Sequence, residues 1–301
     1  MKLNGHINTV KPFFFQGAKF QIEPETLRLN DGDFLRIYYL AEYNTDPNKT
    51  VLLIHGMMGN KDSPVIIKTA RQLLDQGYSP IIVEMRNCSN LPNNTSKFFH
   101  AGSVEDLSTT IKYLCEKFAC PINNVIGFSM GANVLLKWSA VCDDAPNLVD
   151  HITCICLPLN LNQMAISANI GLNKVYQRVM LRRYRKSLTR RNDYTTQNLR
   201  KLINSVSSIL EFDDKITARL NGYRDREDYY QQNCILQYLG HNNVHCSILN
   251  SANDPLISNS ETILEKFKYH SNLDINILNK GGHLGLLHSN NKPIQLHTHY
   301  E

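Results

Sequence analysis

Gly127-Phe128-Ser129-Met130-Gly131 decides how this chain is read. Val125-Ile126 lead in as an apolar strand, and Ala132 to Leu136 lead out with helical patterning. Glycines two before and two after a serine suit a sharp strand-to-helix turn, where the adjoining strand and helix press on both positions. Such a turn, a nucleophile elbow, lifts the Ser129 hydroxyl above the sheet at a helix N-terminus and makes it a candidate nucleophile. Five residues of this kind also arise in ordinary loops, so the reading depends on what flanks them.

A serine hydroxyl is a feeble nucleophile unless a base takes its proton and a third group orients that base. After an elbow of this type the chain order is serine, acid, histidine. Val244 to Leu249 reads as a strand, and the loop beyond it holds Asp254 followed by Pro255. Ile275 to Leu278 reads as the next strand and runs into Lys280-Gly281-Gly282-His283. Alone, Asp254 would be a turn former and His283 a surface loop residue. In this order, each at the C-terminal end of a predicted strand, they form a candidate Ser129, Asp254, His283 triad.

An acyl-transfer site also needs N–H groups aimed at an oxyanion. Upstream, Val51 to Ile54 reads as a short strand entering His55-Gly56-Met57. The N–H of Met57 is one expected donor, and that of Met130, following the nucleophile, is the other. His55 reads as a structural loop histidine rather than a second base.

At 301 residues and 42% hydrophobic, the chain can bury a full core as one large domain with an inserted part. No apolar run approaches the length that crosses a bilayer, and the Phe13-Phe14-Phe15 cluster is too short for a signal core. Eight dispersed cysteines, none in a C-x-x-C pair, read as buried thiols of a reducing cytoplasm, with Cys154 and Cys156 on one face of a strand. The Asn-x-Ser/Thr matches at Asn48, Asn87, Asn93 and Asn94 read as accidents of an asparagine-rich chain.

Strands and helices alternate along most of the chain, which predicts a mostly parallel central sheet with helices on both faces. A hairpin is expected around Asn30 to Asp33. A helix is expected from Pro64, capped by Ser63, and another from a Ser103-x-x-Asp106 capping box. The alternation fails from 159 to 235, where the pattern is helical and polar. Residues 1–158 and 236–301 are therefore expected to form the core, and 159–235 a helical cap over Ser129. Between Lys174 and Arg191 stand eight basic residues and no acidic one, so a whole-chain charge of +5 leaves −3 elsewhere. That cluster reads as a solvated cap face or as a peripheral contact for anionic lipid or substrate. No nucleic-acid motif accompanies it.

These residues resemble a named group over nearly the whole chain. Gly5-His6 with Asn8-Thr9, Asp31-Gly32-Asp33-Phe34, His55-Gly56, Met85 to Ser89, His100-Ala101-Gly102-Ser103 and the elbow are similar to the YheT-like branch of the α/β-hydrolase-fold esterases. The cap stretches Val175 to Arg178, Glu211 to Ala218 and Gly222 to Tyr230 carry the same resemblance. It implies an α/β-hydrolase fold, esterase activity without cofactor or metal, and the triad Ser129, Asp254, His283. It also implies kinship with membrane-associated phospholipid hydrolases of eukaryotes. The family has glycine where this chain has Asn87 and Asn90, and asparagine tolerates left-handed turns. After His283 the usual C-terminal helix is expected to be shortened or lost.

Arg86 reads as tying down the loop after the strand at 81–84, and Cys88 lacks an elbow to make it a nucleophile. Glu211, Asp213 and Asp214 lack histidine partners at metal-ligand spacing, so salt bridges to Arg or Lys are expected instead. The expected activity is serine-dependent cleavage of a small-molecule or lipid carboxylic ester. A phospholipase or lysophospholipase at membranes, or a non-catalytic binding protein on the same fold, are the competing readings.

Overall fold

The computed structural model describes residues 2–14, 17–40, 49–190, 194–257 and 260–286. The expectation for the C-terminal helix lies outside them. The eight strands, β1 Glu25–Arg28, β2 Phe34–Tyr39, β3 Thr50–Ile54, β4 Ser79–Glu84, β5 Ile122–Phe128, β6 Val149–Ile155, β7 His245–Ser251 and β8 Leu273–Leu278, form one sheet. Its order is β1-β2-β4-β3-β5-β6-β7-β8. β1 pairs antiparallel with β2, and β2 with β4; every later neighbour is parallel.

Period-two alternation builds a core on each face of this sheet. Leu52 and Ile54 of β3 join one cluster with helices α3 (Val104–Phe118) and α4 (Met130–Val141), including Leu107, Ile111 and Trp138. Val51 and Leu53, one residue out of phase, join the other with α2 (Pro64–Asp75), including Ile66, Ala70 and Leu73. A strand buried on both faces must be apolar throughout, and β3 and β4 contain only buried residues.

Ahead of the sheet lies α1 (Lys2–Phe14), and the short α5 (Ala145–Leu148) leads into β6. Between β6 and β7 the chain leaves the sheet for α6 (Leu161–Ala168), α7 (Asn173–Leu188), α8 (Tyr194–Ser205), α9 (Ile209–Phe212), α10 (Ala218–Leu220) and α11 (Arg226–Asn233). A π-turn, Asp213–Thr217, joins α9 to α10. These helices share their own apolar cluster, Leu181, Tyr184, Phe212, Ile216 and Tyr229 with Phe98 and Ala101 from the sheet side. α12 (Ser260–Leu264) precedes β8.

Several local expectations are corrected. Ser63 and Ser103 stand at N-cap positions, but neither hydroxyl caps its helix. Ser63 Oγ accepts from the Asn60 N–H and Ser103 Oγ from the His100 N–H, each holding the preceding turn. Asp106 is drawn away from a capping box by Arg86. Cys154 and Cys156 do not share a face: β6 ends at Ile155, and Cys156 turns to φ 52°, placing the two thiols in opposite core clusters. Asp213 clamps no cation. It is buried and accepts from Thr217 Oγ1 at 2.7 Å and Tyr230 Oη at 2.8 Å, and burial pushes its carboxyl up to about 6. Glu211 instead accepts from the Ser207 N–H. Asn87 does occupy the left-handed region, at φ 58°, whereas Asn90 does not.

Candidate active site

Strand order reverses between β3 and β5: the chain proceeds from β3 outward to β4 on one side, and from β5 to β6, β7 and β8 on the other. The crevice at the carboxyl ends of two such strands is where open α/β sheets bind ligands. Ile54 pairs with Gly127, so the His55-Gly56-Met57 loop and Ser129 leave the sheet side by side. Ser129 itself sits at φ 54°, ψ −115°, a strained conformation for a residue with a side chain. The glycines around it are required by contact. A Cβ on Gly127 would stand 2.6 Å from the Gly131 carbonyl oxygen, and one on Gly131 would stand 2.6 Å from those of Ile54 and His55.

The structure brings the three expected side chains into one line. Ser129 Oγ lies 3.0 Å from His283 Nε2, and His283 Nδ1 lies 2.8 Å from Asp254 Oδ2. Nδ1 facing a carboxylate carries the proton, which leaves Nε2 as the acceptor for the serine hydroxyl. Asp254 is fixed in turn: its Oδ1 accepts from the N–H groups of Leu256 at 2.8 Å and Ile257 at 3.1 Å. All three residues are buried. Met57 and Met130 flank the serine, and among the described residues no backbone acceptor takes either N–H.

His55 is buried and edge-on to Phe99. Its Nδ1 donates to the Gly56 carbonyl at 2.8 Å and its Nε2 accepts from the Met85 N–H at 3.2 Å, which ties two loops together. Burial lowers its pKa to about 4, as expected for a structural, neutral ring. His100, against Tyr223 and Tyr229, is lowered to about 3, by burial first and then by Lys137 and Arg86. A depressed folded value means stability that is complete above pH 6.5 and lost as pH falls toward about 4 for His55 and about 3 for His100. Each ring contributes about 1.4 kcal/mol per pH unit in its window. The unfolding free energy is therefore expected to drop steeply from pH 6.5 to 5, and His100→Phe to remove close to one proton from that slope. An unchanged slope in this variant, measured by denaturant melts, would contradict the assignment.

Sequence reasoning missed four supporting residues. Asn253, the residue before Asp254, accepts at Oδ1 from the N–H groups of Gly281 at 3.0 Å and Gly282 at 2.9 Å, coupling the acid and histidine loops. Asn250 bonds both backbone groups of Leu157. Cys156 Sγ accepts from the Leu284 N–H at 3.2 Å. Thr9 Oγ1 accepts from the His283 N–H at 2.9 Å while donating to the Gly5 carbonyl. α1 comes this close because Gly5 has no side chain, since a Cβ there would stand 2.1 Å from the Asn253 carbonyl oxygen. The Gly5-His6 and Asn8-Thr9 signal was visible in the sequence without a role attached to it. Thr9→Val keeps the shape and leaves a buried N–H unpaired, so kcat is expected to fall about tenfold with KM unchanged. Steady-state kinetics on a soluble ester would check this.

Cys156, Asp254 and His283 offer ligand atoms within 4.8 Å of one another. Burial and the charge of Asp254 push the Cys156 thiol well above its ordinary range, and a metal would require the thiolate. Both remaining members are already engaged in the line to Ser129, so the donor set fits proton transfer better than a cation.

The sequence profile of the α/β hydrolase fold matches residues 49–247. The chain belongs to this family. It is similar to YheT of Escherichia coli (strain K12), 28% identical over 94% of this chain and 84% of that protein. It is also similar to phospholipase ABHD3 of Homo sapiens, 22% identical over 92% of this chain and 70% of that protein. The solved esterase Pf2001 of Pyrococcus furiosus superposes with a TM-score of 0.59 over 92% of each chain at 14% identity, a likeness of fold. Membership makes a hydrolase role the family's contribution here. Among the described residues no helix is long and apolar enough to cross a membrane.

Proposed function

We propose that this hydrolase cleaves carboxylic esters through a covalent acyl-serine. The hydrogen-bonded line from Ser129 through His283 to Asp254 carries the reading. His283 Nε2 takes the hydroxyl proton as Ser129 Oγ attacks the ester carbonyl carbon. Asp254 holds the imidazolium in place, and the N–H groups of Met57 and Met130 receive the oxyanion. Collapse breaks the carbonyl carbon–alkoxy oxygen bond, and His283 returns the proton to the departing alcohol. Water then attacks the acyl group by the same proton route and restores the serine. Residues 159–235 act as the cap that shapes the pocket and excludes water. A non-catalytic role is disfavoured by a complete, buried hydrogen-bonded line. We place the chain in a reducing cytoplasm, where eight dispersed cysteines without a C-x-x-C pair persist as thiols.

A fluorophosphonate probe is expected to label the wild-type chain and leave Ser129→Ala unlabelled. An unlabelled wild-type protein would overturn the assignment.

A further inference from the structure

We propose that the outer faces of α1 and α7 form a docking surface for an anionic lipid layer, which supplies the ester to Ser129. This deepens the hydrolase reading above and rests on it for the fate of the lipid. α1 is inverted relative to an ordinary surface helix. Its buried positions are Gly5, Thr9 and Pro12, while Ile7, Val10 and Phe14 share one outward stripe, with Phe14 80% exposed. α7 repeats the pattern: Val175 and Val179, with Leu172 at its N-cap, lie about half-exposed at one-stripe spacing, and Ile166 and Ile170 just before it are exposed too. Folding alone would turn these side chains inward, so the pattern suits a second apolar phase.

The two helices touch: His6 Nδ1 meets Tyr176 Oη at 3.1 Å with the rings stacked, which sets α1 beside α7. Both helices also hold the catalytic loops, α1 through Thr9 and α7 through Asn173 Nδ2, which donates to the Pro255 carbonyl at 2.7 Å. The charge selects the lipid. Neither helix contains an acidic residue. Lys11 is exposed on α1, and Arg178, Arg182 and Lys186 are exposed along the apolar side of α7. Arg185 is excluded because it turns back to the Ile203 and Val206 carbonyls. Short apolar stripes flanked by basic side chains lie in a headgroup region rather than spanning it.

The test is co-sedimentation of the full chain with phosphatidylcholine vesicles, with and without about one-third phosphatidylglycerol. The wild-type chain is expected to bind the anionic vesicles and to release them as salt rises. Arg178→Gln/Arg182→Gln/Lys186→Gln is expected to lower the partition coefficient roughly a hundredfold. Leu172→Ser/Val175→Ser/Val179→Ser and Ile7→Ser/Phe14→Ser are each expected to lower it about tenfold or more, even at low salt. All three variants should keep wild-type turnover of a short soluble ester, which also reports that they fold. No wild-type binding at low salt, equal binding to neutral vesicles, or undiminished binding by the apolar variants overturns the proposal. So does a concentration-dependent dimer without vesicle binding, which would make the face a protein interface. Soluble-ester turnover and probe labelling read the chemistry independently, so vesicle binding by a catalytically inert wild-type chain would sink only the hydrolase reading.

Discussion

Ser129→Ala is expected to turn over a short p-nitrophenyl ester at least a hundred-thousandfold more slowly than the wild-type chain, with the fold intact. The size of the loss follows from what the hydroxyl does. Without Oγ no acyl-enzyme forms, and His283 has no hydroxyl proton to take. What remains is the field of the Met57 and Met130 N–H groups and the positioning of substrate, which together account for the residual rate over water. Asp254→Asn tests the orientation of the base separately. An amide in place of Oδ2 lets the imidazole take the other tautomer, with the proton on Nε2, where it cannot accept from Ser129. A loss of about ten-thousandfold is expected. The double variant should be scarcely worse than Ser129→Ala alone, because the residues act as one unit. Wild-type-like turnover by Ser129→Ala would sink the serine mechanism.

The parts of this site legible in the sequence were those fixed by local geometry. The elbow was readable because Gly127 and Gly131 are needed for contacts with residues close by in the chain or on the paired strand β3. Asp254 and His283 were readable because each follows an apolar strand, and parallel strands deliver their carboxyl ends to one edge. Thr9 was not: its contact with His283 spans 274 residues, and nothing local to α1 announces an acceptor for a catalytic loop. Asn253 was not either, since an asparagine in a turn usually bonds its own backbone, whereas this one bonds a loop 28 and 29 residues away. Ser63 and Ser103 do stand at their helices' N-caps, and what was not legible is where their hydroxyls bond. The sequence shows a hydroxyl at an N-cap position, and in both cases that hydroxyl accepts from the N–H three residues back instead of from the helix. Asp213 was assigned a cation for its charge; burial against Thr217 and Tyr230 decided otherwise. The face change at Cys156 depends on one left-handed residue, which no periodicity reveals.

Arg86→Met is expected to destabilise the chain by about 3–5 kcal/mol, the range for breaking a buried ion network by removing one partner. The guanidinium is buried and fully used. Its Nε and Nη2 bond Asp106 at 2.7 and 2.9 Å, and Nη1 bonds Asp31 at 2.8 Å and Asp33 at 3.0 Å. Burial opposes its charge, yet the bonds to Asp106 and Asp31 hold its pKa above the ordinary arginine value. Removing it leaves the Asp33 side chain, wholly inaccessible, and the largely buried Asp106 without their cation. It also cuts the side-chain link between the hairpin turn at Asp31–Asp33 and the start of α3. A melting temperature lower by about 10 °C is expected for a chain of this size. Lys97 is the control. It reaches Asp31 at 3.4 Å from a half-exposed position, so Lys97→Met should shift stability by less than about 1 kcal/mol. In Arg86→Met/Asp106→Asn one orphaned charge is gone, and the loss should be smaller than the sum of the single changes. If Arg86→Met melted within a degree or two of wild type, the network would be ornamental and the loop after β4 would be held by its uncharged bonds, those of Asn87, Asn93, Asn94 and Thr95. Asn93 does bond Asp33 Oδ1, Phe34 O and the Asn87 N–H, which ties the loop to the hairpin, but it brings no positive charge to the buried carboxylates and does not reach α3. Among the described residues Arg86 alone spans from that loop to the hairpin and to α3 at once, which is why its removal should be felt across the sheet edge.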